Sequence, residues 1–231
     1  MKITRRSLFS VLPNRRYRAP GALVMLGIVA SLHPHAARAA GSQWYPLCGS
    51  CHGEHGEGLD AFDAPRLQGL SPAYLARQLD NFRRNRRGQA PGDTLGQQMV
   101  SMATLLPDDA AVLEVARHAS ALPPSASTTR REAGKPLPPA FGTCAACHGA
   151  AGEGNDALQA PRLAGQRAAY LLRQFRHFKS GLRGADPGDV PGARMLAMVR
   201  AVRDDATLAE LMQALEASDP PPATSNEHPQ P

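Results

Sequence analysis

The four cysteines of this 231-residue chain fall in two pentads, Cys48-Gly49-Ser50-Cys51-His52 and Cys144-Ala145-Ala146-Cys147-His148. C-x-x-C-H is the attachment signature of c-type haem. Cysteines at i and i+3 share one face of a helical turn, so both thiols can add to the vinyl groups along one porphyrin edge. The His at i+4 projects from the same turn toward the iron as an axial ligand. Zinc would want four converging S or N ligands, and a redox dithiol would want a βαβ setting; neither pattern accompanies these motifs. The pentads therefore imply two covalently bound haem c groups, held by Cys48, Cys51, Cys144 and Cys147, with His52 and His148 on the irons.

Whether each iron also takes a protein ligand on its other face separates electron transfer from chemistry on a substrate. Met99 follows His52 by the same 47 residues that separate Met195 from His148. A lone Met is more often core filling, but matched spacing in both halves points to one thioether per haem. Met102 and Met198 lie three residues further on and could share a helical face with them, so spacing alone does not choose between the members of each pair. His55, His118 and His177 face Ala151, Ala214 and Asn81 in the other half, which marks them as surface or local residues.

These residues sit in a duplicated frame. An offset of 96 aligns Pro65-Arg66-Leu67 with Pro161-Arg162-Leu163, Tyr74-Leu75 with Tyr170-Leu171, and Pro91-Gly92-Asp93 with Pro187-Gly188-Asp189. Each copy is long enough to be a complete small fold. Ser71-Pro72 reads as an N-cap with Pro at the first helical position, opening a helix that runs to about Arg87. Its apolar stripe is Tyr74, Leu75, Gln78, Leu79 and Phe82. The last helix opens near Pro107-Asp108-Asp109, where acids complement the helix dipole. No run alternates like a strand, so the expectation is an all-α protein. Arg83, Arg84, Arg86 and Arg87 read as a solvated helix end, or else as a site for an acidic partner or a haem propionate. Arg66 and Arg162, beside proline in both copies, are better propionate candidates.

Charge and export bound the function. The formal charge is +6, but residues 1–39 carry seven basic residues and no acid, so the remainder has 19 basic against 20 acidic residues. That balance argues against nucleic acid as a partner. Residues 1–39 read as a signal peptide: a positive start, an apolar run from Gly21 to Leu32, and Ala37-Arg38-Ala39 as the cleavage site. Thr4-Arg5-Arg6-Ser7-Leu8-Phe9 is similar to a twin-arginine signal, although covalent haem addition suits a chain exported unfolded. The apolar run is short for a bilayer span. Cleavage after Ala39 and a periplasmic location are expected, with an uncleaved anchor as the alternative and transient association with a membrane surface allowed. The remaining boundaries are a first domain at 40–121, a Pro-rich linker at 122–139, a second domain at 140–219 and a disordered tail at 220–231.

The motifs C-x-x-C-H-G, Pro-Arg-Leu-x-Gly, Tyr-Leu-x-x-Gln and Phe-x-x-x-x-x-Gly, followed by a Met seven residues before a hydrophobic-x-Asp-Asp turn, resemble the tandem di-haem class I cytochromes c of the cytochrome c4 type. The resemblance implies two class I cytochrome c domains about a pseudo-twofold axis and His/Met ligation of each haem. It implies periplasmic electron transfer, often to a terminal oxidase. It places the ligands on Met99 and Met195, and it places a carbonyl that orients the ligand His on Pro65 and Pro161. Relatives carry an amphipathic helix before each C-x-x-C-H; here it is expected to be shortened, which puts the contact between first and last helices in question. The function expected is thus an electron carrier with no catalytic residue, working between respiratory partners. The alternatives are the cytochrome subunit of a periplasmic dehydrogenase, such as a sulfide-oxidising flavocytochrome, or a di-haem peroxidase. The last would need unequal copies, and both copies here keep the same motif and Met spacing.

Overall fold

The computed structural model describes residues 42–123, 136–202 and 206–218. The signal segment, its cleavage site, most of the linker and the tail lie outside the described residues. Those described belong to one compact unit. They form helices without a β-strand, and an isolated bridge between Asn155 and Ala160 is the one β contact among them. No described helix is long and apolar enough to cross a membrane.

The first half contains α1 (Tyr45–His52), α2 (Pro72–Arg83), α3 (Thr94–Ala103) and α4 (Asp109–Ser120). The second contains α5 (Gly142–His148), α6 (Ala168–Ser180), α7 (Val190–Ala201) and α8 (Ala206–Glu216). Local chemistry sets the starts. The Ser71 hydroxyl accepts from the Tyr74 N–H ahead of Pro72, as the sequence predicts. Asp93 and Asp189 cap α3 and α7 by accepting from Gly96 and Gly192, and Asp108 caps α4 through the Ala111 N–H. Helix α2 stops at Arg83, earlier than its apolar pattern predicts. Arg84 closes the turn and Asn85 takes a left-handed conformation, φ 58°, so Arg84–Arg87 leave the helix axis.

In each half the second and fourth helices pack together over an apolar core. Leu75, Leu106, Val112, Val115 and Ala116 form the first core; Leu171, Phe175, Phe178, Val199, Leu211 and Leu215 form the second. The helix before each haem motif is indeed short, yet its contact with the last helix survives. Tyr45 in α1 enters the first core. Phe141, the equivalent residue 96 positions on, enters the second from a 3-10 turn at Pro139–Phe141. One large ring at one position replaces a longer amphipathic stripe.

Candidate functional site

Each C-x-x-C-H motif forms a helical turn ending at its histidine, and the glycine that follows terminates it. His52 and His148 are both buried. The His52 Nδ1 lies 2.9 Å from the Pro65 carbonyl oxygen, and the His148 Nδ1 lies 2.8 Å from that of Pro161. A carbonyl can only accept, so Nδ1 carries the proton in both rings. Burial holds both imidazoles below the ordinary histidine pKa, with the carbonyl contact acting the other way. The neutral tautomer that results leaves Nε2 with a free lone pair, the state a metal-ligating imidazole requires. All four cysteines are free thiols. Burial, reinforced by Cys51, pushes the Cys48 thiol up to about 11, and burial also raises Cys144. Among the described residues no three His, Cys, Asp or Glu side chains converge as a metal site.

The methionines lie on α3 and α7, which the sequence pattern did not delimit as helices. Met99, Met102, Met195 and Met198 all border a cavity of about 390 Å³ that both C-x-x-C-H motifs also line. Met195 packs against the second core, whereas Met198 is 45% exposed. In the first half Met99 and Met102 are both half-buried. Gly88 and Gly184 bring the loops after α2 and α6 against the starts of α3 and α7. A Cβ at Gly88 would stand 2.5 Å from the Gly96 carbonyl oxygen, and one at Gly184 would stand 2.4 Å from that of Gly192. Both glycines have φ near +80°, so the close approach and the backbone conformation each exclude a side chain.

Between the halves lies a polar seam that sequence patterning did not reveal. Arg87 donates to Gln78 in its own half (2.7 Å) and to Gln174 in the other (2.8 Å). Arg183 mirrors it, donating to Gln174 at 2.9 Å and to Gln78 at 2.9 Å. Each also reaches the opposite tyrosine hydroxyl, Tyr170 or Tyr74, and each lies over the phenylalanine of its own half, Phe82 or Phe178. Arg87 and Arg183 are only 8% and 6% exposed. The expected solvated run therefore holds for part of its length: Arg83 and Arg84 pair with Asp109 and Asp80 at the surface, while Arg87 turns inward because the helix has already ended. Arg66 and Arg162 also reach across the seam. A Cβ at Gly165 would meet the Arg66 Nη1 at 3.2 Å, and one at Gly69 would meet the Arg162 Nη1 at 2.9 Å. The Gln166 amide bridges the Arg66 backbone from both its ends, at 2.8 Å each.

This seam tests whether haem fits. Arg87 and Arg183 hydrogen-bond only neutral groups, and the Nε of Arg183 is buried without a partner. Two buried cations with no carboxylate hydrogen-bonded to them are costly, although Asp189 acts on Arg183 from a distance, and both line the cavity shared with the two motifs. An amphipathic group with an apolar ring and two carboxylates suits an apolar cleft that ends on paired guanidinia. The residues present fit haem. His177 departs from the surface or local placement expected of it: it stands against Asp93 of the first half, with a side chain only 13% exposed.

Comparison with known proteins agrees with this geometry. The family described as Cytochrome c matches residues 38–114 and 132–213. Cytochrome c4 of Azotobacter vinelandii is 30% identical over 205 residues, covering 84% of this chain and 96% of the relative. A thiosulfate dehydrogenase electron acceptor of Stutzerimonas stutzeri (strain A1501) is 34% identical over 173 residues, covering 68% of this chain and 73% of the relative. The crystal structure of reduced recombinant cytochrome c4 from Pseudomonas stutzeri superposes with a TM-score of 0.59 at 26% identity, covering 78% of this chain and 97% of that one. The protein carries two covalently bound haem c groups, one per half, and transfers electrons to and from redox partners rather than transforming a substrate. The chain belongs to the cytochrome c family, as a di-haem protein of the cytochrome c4 type.

Proposed function

We propose that this protein is a periplasmic electron shuttle whose two haems are each closed by one histidine and one methionine. The single observation that carries this reading is the repeated pair of contacts, His52 to Pro65 and His148 to Pro161, which holds both imidazoles in one tautomer at equivalent positions. Cys48 and Cys51 hold the first haem and Cys144 and Cys147 the second. Met99 and Met195 supply the sixth ligands from α3 and α7, and the greater exposure of Met198 favours Met195 over it. Arg87 and Arg183, with Arg66 and Arg162, take the propionates. Bound there, haem supplies a one-electron Fe(III)/Fe(II) couple, and thioether ligation favours the reduced state. The chain's own work is to keep each imidazole neutral and aimed, to exclude water with the two apolar cores, and to offset carboxylate charge at the seam.

The domains are 40–121 and 140–219, joined by the linker 122–139 and followed by the tail 220–231. Residues 1–39 direct export and are removed after Ala39. Intact mass spectrometry of periplasmically expressed protein tests this directly. The expected mass is that of residues 40–231 plus two haems; retention of residues 1–39 would show an anchor instead.

The proposed partners are respiratory redox proteins, with a terminal oxidase as acceptor. A second reading is favoured by the thiosulfate dehydrogenase electron acceptor among the relatives: this protein would accept electrons from a periplasmic dehydrogenase. Stopped-flow mixing of the oxidised protein with a reduced dehydrogenase, and of the reduced protein with an oxidase, orders the two. Fast reduction in the first arm identifies the dehydrogenase as donor.

A further inference from the structure

The seam is built on pseudo-symmetric pairs, and one pair is chemically unequal. Asp93 and Asp189 are equivalent caps of α3 and α7, both buried. Residue 177, on α6, lies against Asp93, with His177 Nδ1 3.8 Å from Asp93 Oδ1. Its equivalent in the first half is Asn81, which is 1% exposed and cannot take a charge. The His177 Nδ1 is buried without a hydrogen-bond partner. Asp93 Oδ1 is already engaged by the Gly96 N–H at 2.9 Å; Asp93 borders the cavity that both haem motifs share, and it caps α3, the helix that carries Met99. One end of the seam therefore holds a proton-accepting pair beside the first haem site, and the other end holds none.

We propose that His177 and Asp93 form a proton site linked to reduction of the first haem alone, an inference that rests on the His52/Met99 reading of that centre. One electron enters the iron from the redox donor, and one proton from solvent binds His177 Nδ1 and strengthens its contact with Asp93. Oxidation releases both. Reduction removes one positive charge from the cavity, so the imidazolium is easier to form, and by reciprocity an imidazolium makes the first haem easier to reduce. The charged groups facing His177 are Asp93 at the start of α3, Arg87 and Arg183 in the loops after α2 and α6, and Arg173 on its own helix. Burial is the largest influence and holds the imidazole below its ordinary pKa; Asp93 opposes it, and Arg173, Arg87 and Arg183 add to burial to the extent that propionates leave their charge uncancelled. The site therefore sits neutral in the oxidised protein at neutral pH and is poised to respond to a lost positive charge.

Two measurements on the holoprotein test this. The first is the imidazole titration of His177 by NMR in fully oxidised and fully reduced protein. The second is the potential of each haem, resolved by its own methyl resonances, across the histidine range of pH. The proposal expects proton affinity about tenfold higher in the reduced form, equivalent to about 59 mV for one electron. It expects the first haem's potential to rise as pH falls while the second stays level. His177→Asn, which copies Asn81, should flatten the first haem's profile, and Asn81→His should confer pH dependence on the second. Equal His177 affinity in both redox states, or a profile unchanged by His177→Asn, overturns the proposal. If the methionine-to-iron(III) charge-transfer band is missing from the same samples, the ligation reading fails instead; if it is present, failure belongs to the proton site alone.

Discussion

Arg87 of the first half donates from Nη2 to the Oε1 of Gln174 in the second at 2.8 Å. That oxygen also receives the Nη1 of Arg183 at 2.9 Å, and the Gln78 oxygen likewise accepts from both guanidinia. Replacing Arg87 with Leu removes three hydrogen bonds from a charged donor. Bonds of this kind contribute roughly 1.5–3 kcal/mol each, not additively, so a loss of about 3 kcal/mol in urea unfolding is expected, together with separate melting of the two halves. Arg84→Ala, at the exposed Asp80 pair, should leave the unfolding curve unchanged.

The arginine pair also marks where the propionates sit. Burial is the largest influence on the Tyr170 phenol and raises its pKa, but Arg87 and Arg183, helped by the Arg87 hydrogen bond, overcome it and bring the value to about 8. Propionates at these guanidinia would cancel that field. The near-ultraviolet titration of holoprotein should then find Tyr170 ionising no lower than an ordinary tyrosine. Were the depressed value kept, the folded protein would shed the phenolic proton before the unfolded chain, and stability would grow as pH rises from about 8 to about 10. No gain is expected over that window, and a midpoint near 8 would place the propionates elsewhere.

Gly88 and Gly184 tie ligand loops to ligand helices. Gly88→Ala forces a Cβ to within 2.5 Å of the Gly96 carbonyl at a left-handed φ. Strain of this type costs about 1–3 kcal/mol. Relief requires α3 to shift, and α3 carries Met99. The expected outcome is weakened methionine ligation at the first haem with the second intact, and Gly184→Ala should do the reverse. Visible spectra of the oxidised variants, checked by added imidazole as a competing ligand, read this directly.

Much of the site was legible because its signals are local. C-x-x-C-H places two thiols and an imidazole on one turn, and Ser71 and Asp108 cap helices at the starts the sequence marks; the caps Asp93 and Asp189 belong to α3 and α7, which the pattern does not delimit. The seam was not legible in the same way, because its contacts between the halves join residues 80 or more positions apart, as from Arg87 to Tyr170 and Gln174. A signal for Arg87 did exist. Of the four arginines in its run it alone recurs 96 residues on, as Arg183, whereas Arg83, Arg84 and Arg86 face Lys179, Ser180 and Leu182. Gln78 stands in the sequence only as a member of an apolar stripe, although its oxygen, like that of Gln174, serves both guanidinia. His177 was set aside for failing to repeat, a test that misses a residue used at one end of a two-ended seam.

Electron transfer without substrate chemistry requires that both irons be closed by His and Met. The near-infrared spectrum of the oxidised, periplasmically matured protein tests it most directly, through the weak charge-transfer band from Met sulfur to Fe(III). The band is expected in the wild type; Met99→Ala and Met195→Ala should each remove about half of it, and Met102→Ala and Met198→Ala should leave it in place. A wild-type protein without the band, or loss on Met102→Ala in place of Met99→Ala, would contradict it.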